Sequence, residues 1–250
     1  MPTAITRAVS PAMNRCELSY LDRQDIDVPR AIDQHRDYIR CLESLGATVV
    51  TLPAEPDLPD SVFVEDPAVV VDEIAVIARM GAESRRAEAE SLAQTLAQYR
   101  PLHWLTEPAT LEGGDVMRVG RTLYVGASQR TNAEGIAQLA RALAPFGYDV
   151  RAVDIRGCLH LKSGACYLGR RMMLVNREWI DAAAFQGYAL IDVAEPWAAD
   201  VLELGGVVLM PANFPDTRPR LEAAGLVVRT VDVSELQKAE AGVTCMSIIF

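Results

Sequence analysis

The feature that most constrains this chain is a pattern that returns about every 50 residues: two β-rich runs joined by a tight turn, a helix-forming run, and a further strand-like run. The first copy spans residues 62–79, with VFVED-PAVVV and EIAVIAR around Asp72-Glu73, followed by the helical RRAEAESLAQTLAQY ahead of Pro101. The second is LEGGDVMRV, the turn Gly120-Arg121, TLYVGAS, a helix TNAEGIAQLARALAPF closing at Gly147, and the strand YDVRAV. The third starts at Cys158, with LHLKSGACYLG, the turn Arg170-Arg171, MMLVN, a helical REWIDAAAF and the strand YALIDV. The fourth runs from Val201 through LELGGVVLMPAN and a Pro- and Arg-containing helix to LVVRTVDV. The fifth is split between the chain ends: QKAEAGVTCMSIIF supplies its hairpin side, and VPRAIDQHRDYIRCLESLGA with TVVTL the rest.

Five units of this size account for all 250 residues, and a recurring period of that length marks a propeller or array. A closed ring whose two termini meet in one blade is the economical reading. An ordinary α/β sheet of alternating elements gives a similar string of strands and helices and is the alternative. No linker or composition shift divides the chain, so residues 1–250 read as a single α/β domain.

Half of the residues are hydrophobic and 23% are charged, enough for a core and a solvated surface. The formal net charge of −10 excludes sequence-independent nucleic-acid binding, which needs basic patches. It suits a cationic small-molecule substrate. No apolar run reaches membrane-spanning length and the first residues lack a signal peptide's apolar core, so a cytoplasmic protein without a membrane partner is expected. A homodimer is compatible with the sequence, which carries no signal fixing the oligomeric state. The five cysteines, Cys16, Cys41, Cys158, Cys166 and Cys245, are odd in number and scattered, as free thiols are.

Aligned by the repeat, the first strands place polar residues among apolar neighbours at nearly one phase. These are Glu65-Asp66, Glu112, His160 and Cys245, with Glu65 to Glu112 and Glu112 to His160 separated by 47 and 48 residues. In a ring, equivalent positions converge on the axis and would meet at one cavity. A thiol there attacks an electrophilic carbon, an imidazole moves protons to the leaving group and from water, and carboxylates hold a cation. Each residue alone has a plain structural reading: Cys245 as a small buried hydrophobe, His160 as a satisfied core histidine, Glu112 and Asp66 as turn residues. Cys158, His160 and Cys166 are close enough to raise a zinc site, but no CxxC or HxxxH pair occurs. No metal or cofactor is expected. His35 and His103 read as structural or exposed.

The motifs DSVFVEDP at 60–67, GAESRR at 81–86, LEGGD at 111–115, RTNAEG at 130–135, HLKSG at 160–164 and AGVTCMS at 241–247 occur in order over nearly the whole chain. Together they resemble the dimethylarginine dimethylaminohydrolases of the guanidine-modifying, or pentein, superfamily. The resemblance implies a five-bladed α/β propeller of ββαβ units and hydrolysis at the guanidinium carbon of Nω-methylated L-arginines, giving L-citrulline and dimethylamine or methylamine. It implies Cys245 as nucleophile, His160 as general acid and base, and Glu112 as a carboxylate gripping the guanidinium. Asp66, with Asp60 and Glu65 beside it, would bind the other side. Arg85 and Arg130 would take the α-carboxylate, Glu240 the α-amino group, and Leu18 would lie on a lid loop. Arginine deiminase is the nearest competing activity. Deiminases of this superfamily carry an aspartate two residues after the histidine, where this chain has Lys162. A noncatalytic amino-acid-binding protein on the same ring is the alternative of a different class.

Overall fold

The computed structural model describes residues 1–250. β1 (Thr3–Arg7) leads through a long loop to α1 (Val28–Ser44) and β2 (Thr48–Leu52). Four units follow: β3 (Ala68–Val70), β4 (Ala75–Ile77), α2 (Glu88–Leu96) and β5 (Leu102–Trp104); then β6 (Val116–Val119), β7 (Thr122–Ala127), α3 (Ala133–Leu143) and β8 (Asp149–Asp154). The next is α4 (Leu161–Gly164), β9 (Ala165–Tyr167), β10 (Met172–Val175) and β11 (Ala189–Asp192), and the last β12 (Leu202–Leu204), β13 (Val207–Pro211), α5 (Arg218–Ala223) and β14 (Val227–Val231). α6 (Ser234–Gln237) and β15 (Ile248–Ile249) return the chain to its start.

Every unit forms one three-stranded sheet of the same topology. The first strand is antiparallel to the second, and the second is parallel to the third after a crossover. The sheet β15-β1-β2 repeats this with strands from both ends, Ala4 opposite Ile249 and Ile5 beside Val50. Thr3 N–H donates to Phe250 O at 2.7 Å, and Phe250 N–H to Thr3 O at 3.0 Å. The fold is a five-bladed α/β propeller.

Apolar side chains fill all five seams between blades. Val69 and Val76 pack with Leu123 and Leu139, Tyr124 with Met173 and Phe185, and Leu174 with Val208 and Leu221. Ile5 and Ile248 pack with Ile77 and Leu92, while Tyr38 and Leu42 join Leu209 and Val231. Burying such side chains contributes about 1.5–3 kcal/mol each, so an unfilled seam would leave a blade with an exposed apolar face. No helix is long and apolar enough to cross a membrane.

Helix signals act where the sequence places them. Asp27 caps α1 by accepting from Arg30 N at 3.1 Å, and Ala31, Gln34, His35, Tyr38 and Leu42 form its buried stripe. Asn132 caps α3 through Gly135 N at 2.7 Å, and Gly147, at φ +74°, ends the turn that follows.

Three local expectations are corrected. VFVED forms turns, with Phe63 N–H donating to Asp60 O at 2.9 Å and Asp66 N–H to Phe63 O at 3.3 Å, and β3 starts only at Ala68. HLKSG is a single helical turn before β9, not strand. REWIDAAAF yields only a 3₁₀ turn at Ala182–Phe185, capped by Asp181. Asp181 bonds its own downstream N–H there, which competes with a longer helix.

Candidate active site

The residues that share a phase do not lie in the first strands but in the short segments leading into them. Asp66 precedes β3, Glu112 precedes β6, His160 precedes β9 and Cys245 precedes β15. A polar side chain at these points reaches the axis while the following strand stays apolar. The 3₁₀ turn Gly113–Asp115 brings the neighbouring blades into contact. A Cβ on Gly114 would stand 2.4 Å from His160 Nδ1 and 2.8 Å from Asp66 Oδ1, and one on Gly113 would stand 2.0 Å from Glu65 O. Only glycine permits that approach.

One cavity at the axis is lined by Asp60, Asp66, Arg85, Arg130, His160, Glu240 and Cys245, together with Glu17 and Phe63. Its free space is only about 20 Å³. His160 is buried, with Nε2 2.8 Å from Glu112 Oε2 and Nδ1 3.8 Å from Asp66 Oδ1. Burial alone would lower its pKa, but Asp66, the Glu112 hydrogen bond and Asp115 outweigh burial and raise it to about 9. Glu112 shows the reciprocal effect: burial pushes it up, and the bond and charge of His160 with Arg85 and Arg130 bring it well below the usual carboxylate range. Asp115 accepts from Leu161 N at 3.0 Å and from Ser128 Oγ at 2.5 Å, which fixes the turn that begins after His160.

The Cys245 thiol is half-buried, accepts a 3.4 Å contact from Gly242 N–H and lies 3.9 Å from Asp200 Oδ2. Burial first, then the charges of Asp200, Glu65 and Asp66, push its pKa well above the ordinary thiol value.

Several expected contacts are placed differently. Glu112 is fully buried and its Oε1 accepts from Gly81 N, Ala82 N and Arg130 Nη1 at 3.1, 3.2 and 3.3 Å, while Oε2 holds His160. Its oxygens are occupied, Oε2 by the imidazole that it orients. Glu65 does not join the cavity. Its carboxylate pairs with Lys162 and accepts from Thr244 Oγ1 at 3.0 Å, and both Glu65 and Lys162 line a separate cavity of about 290 Å³ with Arg118 and Glu203. Arg85 lines the cavity, but its fork is bound to Glu88 at 3.0 and 2.9 Å and to Asp66 Oδ2 at 2.8 Å. It stands behind Asp66.

The loop after β1 covers the site. Asp60 accepts from Glu17 N at 3.1 and 3.3 Å, and Arg130 Nη2 donates to Ser19 Oγ at 3.0 Å. Glu240, at φ +60°, gathers the N–H groups of Ser19, Tyr20 and Leu21 on Oε1 at 2.9, 2.5 and 2.7 Å, and its buried Oε2 has no partner. Leu18 packs against the same apolar cluster as Cys245.

Asp66, Glu112 and His160 also present donor atoms within 4.8 Å of one another, the geometry of a small metal site. A charged imidazole between two carboxylates already supplies the balancing cation there. Cys158, by contrast, donates to His160 O at 3.4 Å and does not converge with Cys166 on the imidazole.

A family model described as N,N dimethylarginine dimethylhydrolase, eukaryotic, matches residues 5–185. The Pseudomonas aeruginosa N(G),N(G)-dimethylarginine dimethylaminohydrolase is 39% identical over 228 residues, 90% of each chain. The chain belongs to the dimethylarginine dimethylaminohydrolase family. The family member of the same name from Streptomyces coelicolor is 37% identical over 247 residues, covering 98% of this chain and 95% of its own. A structure of the Pseudomonas aeruginosa dimethylarginine dimethylaminohydrolase, a cysteine-to-serine mutant complexed with citrulline, matches with a TM-score of 0.93 at 35% identity over 99% and 98% of the two chains.

Asp200 was missed by sequence reasoning. It precedes β12 by two residues, the phase of Asp66 before β3, and is the fourth blade's contribution to the axis. The signal was that phase: a copy counted from Val201 begins one residue too late to include it.

Proposed function

We propose that this dimethylarginine dimethylaminohydrolase family member hydrolyses Nω-methylated L-arginines to L-citrulline and dimethylamine or methylamine, with residues 1–250 acting as one catalytic domain. The observation carrying this reading is the convergence of a thiol, a carboxylate-held imidazole and further buried carboxylates from several blades on one cavity. The family's named activity and the citrulline bound to the Pseudomonas aeruginosa relative support it.

The guanidinium enters between Asp66 and Asp60, whose oxygens suit its parallel N–H donors. Glu240 Oε2, buried and unpartnered, takes the α-amino group, and Arg130 the α-carboxylate. Burial first, and then the carboxylates that face it, keep the half-buried Cys245 thiol protonated at rest. Arrival of the substrate cation offsets those charges, and the thiol releases its proton to solvent. Sulfur attacks the guanidinium carbon and forms the C–S bond. The bond to the methylated nitrogen then breaks as His160, charged below about pH 9, gives that nitrogen its proton. Neutral His160 next takes a proton from a water that attacks the S-alkylthiouronium. The C–S bond breaks, the remaining proton of the added hydroxyl passes to the sulfur as the ureido carbonyl forms, and citrulline leaves.

Lys162 bears on the choice between a methylated amine and ammonia as leaving group. Paired to Glu65 and lining the other cavity, it gives the guanidinium no carboxylate at the position where deiminases have one. One guanidinium nitrogen is left free to carry methyl groups that cannot donate hydrogen bonds. Citrulline formation from asymmetric dimethylarginine, monomethylarginine, arginine and agmatine tests the assignment. The methylated arginines should turn over far faster than arginine; equal or faster turnover of arginine would assign a deiminase instead.

A further inference from the structure

Asp200 lies in the segment entering β12 and lines a cavity of about 150 Å³ that shares Glu240 and Ala241 with the one holding His160 and Cys245. Its carboxylate is buried and holds the nucleophile's turn from behind. Oδ1 accepts from Thr244 N at 2.9 Å and Oδ2 from Thr244 Oγ1 at 3.1 Å, and Oδ2 faces Cys245 Sγ at 3.9 Å. A Cβ on Gly242 would stand 2.0 Å from Asp200 Cγ, so the turn is built flush against this carboxylate. Thr244 Oγ1 also contacts Glu65 Oε2 at 3.0 Å, which links the fourth blade to the first beneath the sulfur.

We propose that Asp200 is a positioning residue for the nucleophile, fixing the Gly242–Cys245 turn through both polar groups of Thr244 and setting a negative charge beside the sulfur. This rests on the reading of Cys245 as the nucleophile. Held on two sides, the sulfur keeps one position through the formation and cleavage of its bond to carbon, and a displacement of about 1 Å is worth about 100-fold in rate. The same carboxylate ties reactivity to substrate. With Asp200, Glu65 and Asp66 facing the thiol and Lys162 the nearby cation, ionisation is disfavoured until a cationic substrate arrives. Tyr38, packed from α1, and Cys166 are further titratable neighbours, and the charged His160 shares the cavity with the thiol and acts on Asp200. The site thereby rejects neutral electrophiles that would consume an exposed thiolate.

The test is the pH dependence of Cys245 alkylation by iodoacetamide, followed by mass spectrometry of the Cys245 peptide and needing no turnover. Asp200→Asn removes the charge while keeping shape. Its alkylation midpoint is expected about one unit lower than that of the unaltered protein, because an anion that opposes the thiolate is gone. Its kcat should fall at least tenfold with KM little changed, since Asp200 does not line the substrate cavity. Thr244→Val, which keeps the charge and loses the Oγ1 contacts to Asp200 and Glu65, should lower kcat with the midpoint unmoved. An Asp200→Asn midpoint that is unchanged or higher overturns the charge role. Unaltered kcat in both variants overturns the positioning role. Should Asp200→Asn fail to fold, Thr244→Val decides: unchanged kcat overturns the proposal and reduced kcat at unchanged KM upholds it. If the alkylation shift appears without dimethylarginine turnover in the unaltered protein, the substrate reading fails while this one stands.

Discussion

His160 is held between Asp66 and Glu112, and its raised pKa makes it an acid ready to protonate an amine at neutral pH. On the present mechanism kcat falls as pH rises through about 9, where that proton is lost. Glu112→Gln removes an anionic partner, which lowers the imidazole pKa, so this limb of the kcat profile should move to lower pH; a limb that stays in place would detach Glu112 from the acid. Stability carries the same sign. A folded-state value above the ordinary histidine value of 6.5 stabilises the fold fully below pH 6.5, and that contribution disappears as pH rises through about 9. The depressed Glu112 contributes above its unfolded value and loses that contribution as pH falls. Melting temperature should therefore drop between pH 6.5 and 9 more steeply in the unaltered protein than in His160→Asn. Cys245→Ser, a change of one atom in a half-buried side chain, should abolish citrulline formation and leave the circular dichroism spectrum unchanged.

At the scale of elements, the segments leading into the first strands carry the chemistry, and their glycines set how close the blades come. Gly114→Ala forces a methyl onto His160 and Asp66, which cost about 1–3 kcal/mol to displace and should lower kcat by about 100-fold. Thermal melting together with steady-state rates checks both; full activity would show that the close approach is dispensable. Much of this was legible in the sequence, because a polar residue in a 50-residue apolar pattern can only be where the repeat aims it. Glu65 and Asp66 are adjacent in a turn, and sequence could not say that Glu65 pairs with Lys162 while Asp66 turns to Arg85 and His160. The partners of Arg85 were equally hidden, since Glu88 three residues later reads as a surface helix pair until the helix is seen to be buried. The anchoring of the loop after β1 by Glu240 depends on three backbone N–H groups, which leave no trace in side-chain identity.

At the scale of the whole molecule, the ring is closed by β15 on β1, and Cys245 lies three residues before that strand. Fold and proposed nucleophile therefore share one anchor. Removing residues 248–250 takes away the pairing with β1 and the Ile248 contact in the seam, so melting temperature and citrulline formation should fall together. Activity retained in a destabilised truncation would separate the two. The closed topology was readable from the repeat, whereas the five seams required knowing which faces meet. The central claim is that chemistry passes through a bond between Cys245 and the guanidinium carbon. Mass spectrometry of peptides from protein acid-quenched during turnover of asymmetric dimethylarginine tests it most directly. An adduct on the Cys245 peptide that has already lost dimethylamine, and has the same mass when arginine is the substrate, is the predicted result. Turnover with that peptide unmodified at every quench time, or an adduct on Cys16, Cys41, Cys158 or Cys166 instead, would contradict the account.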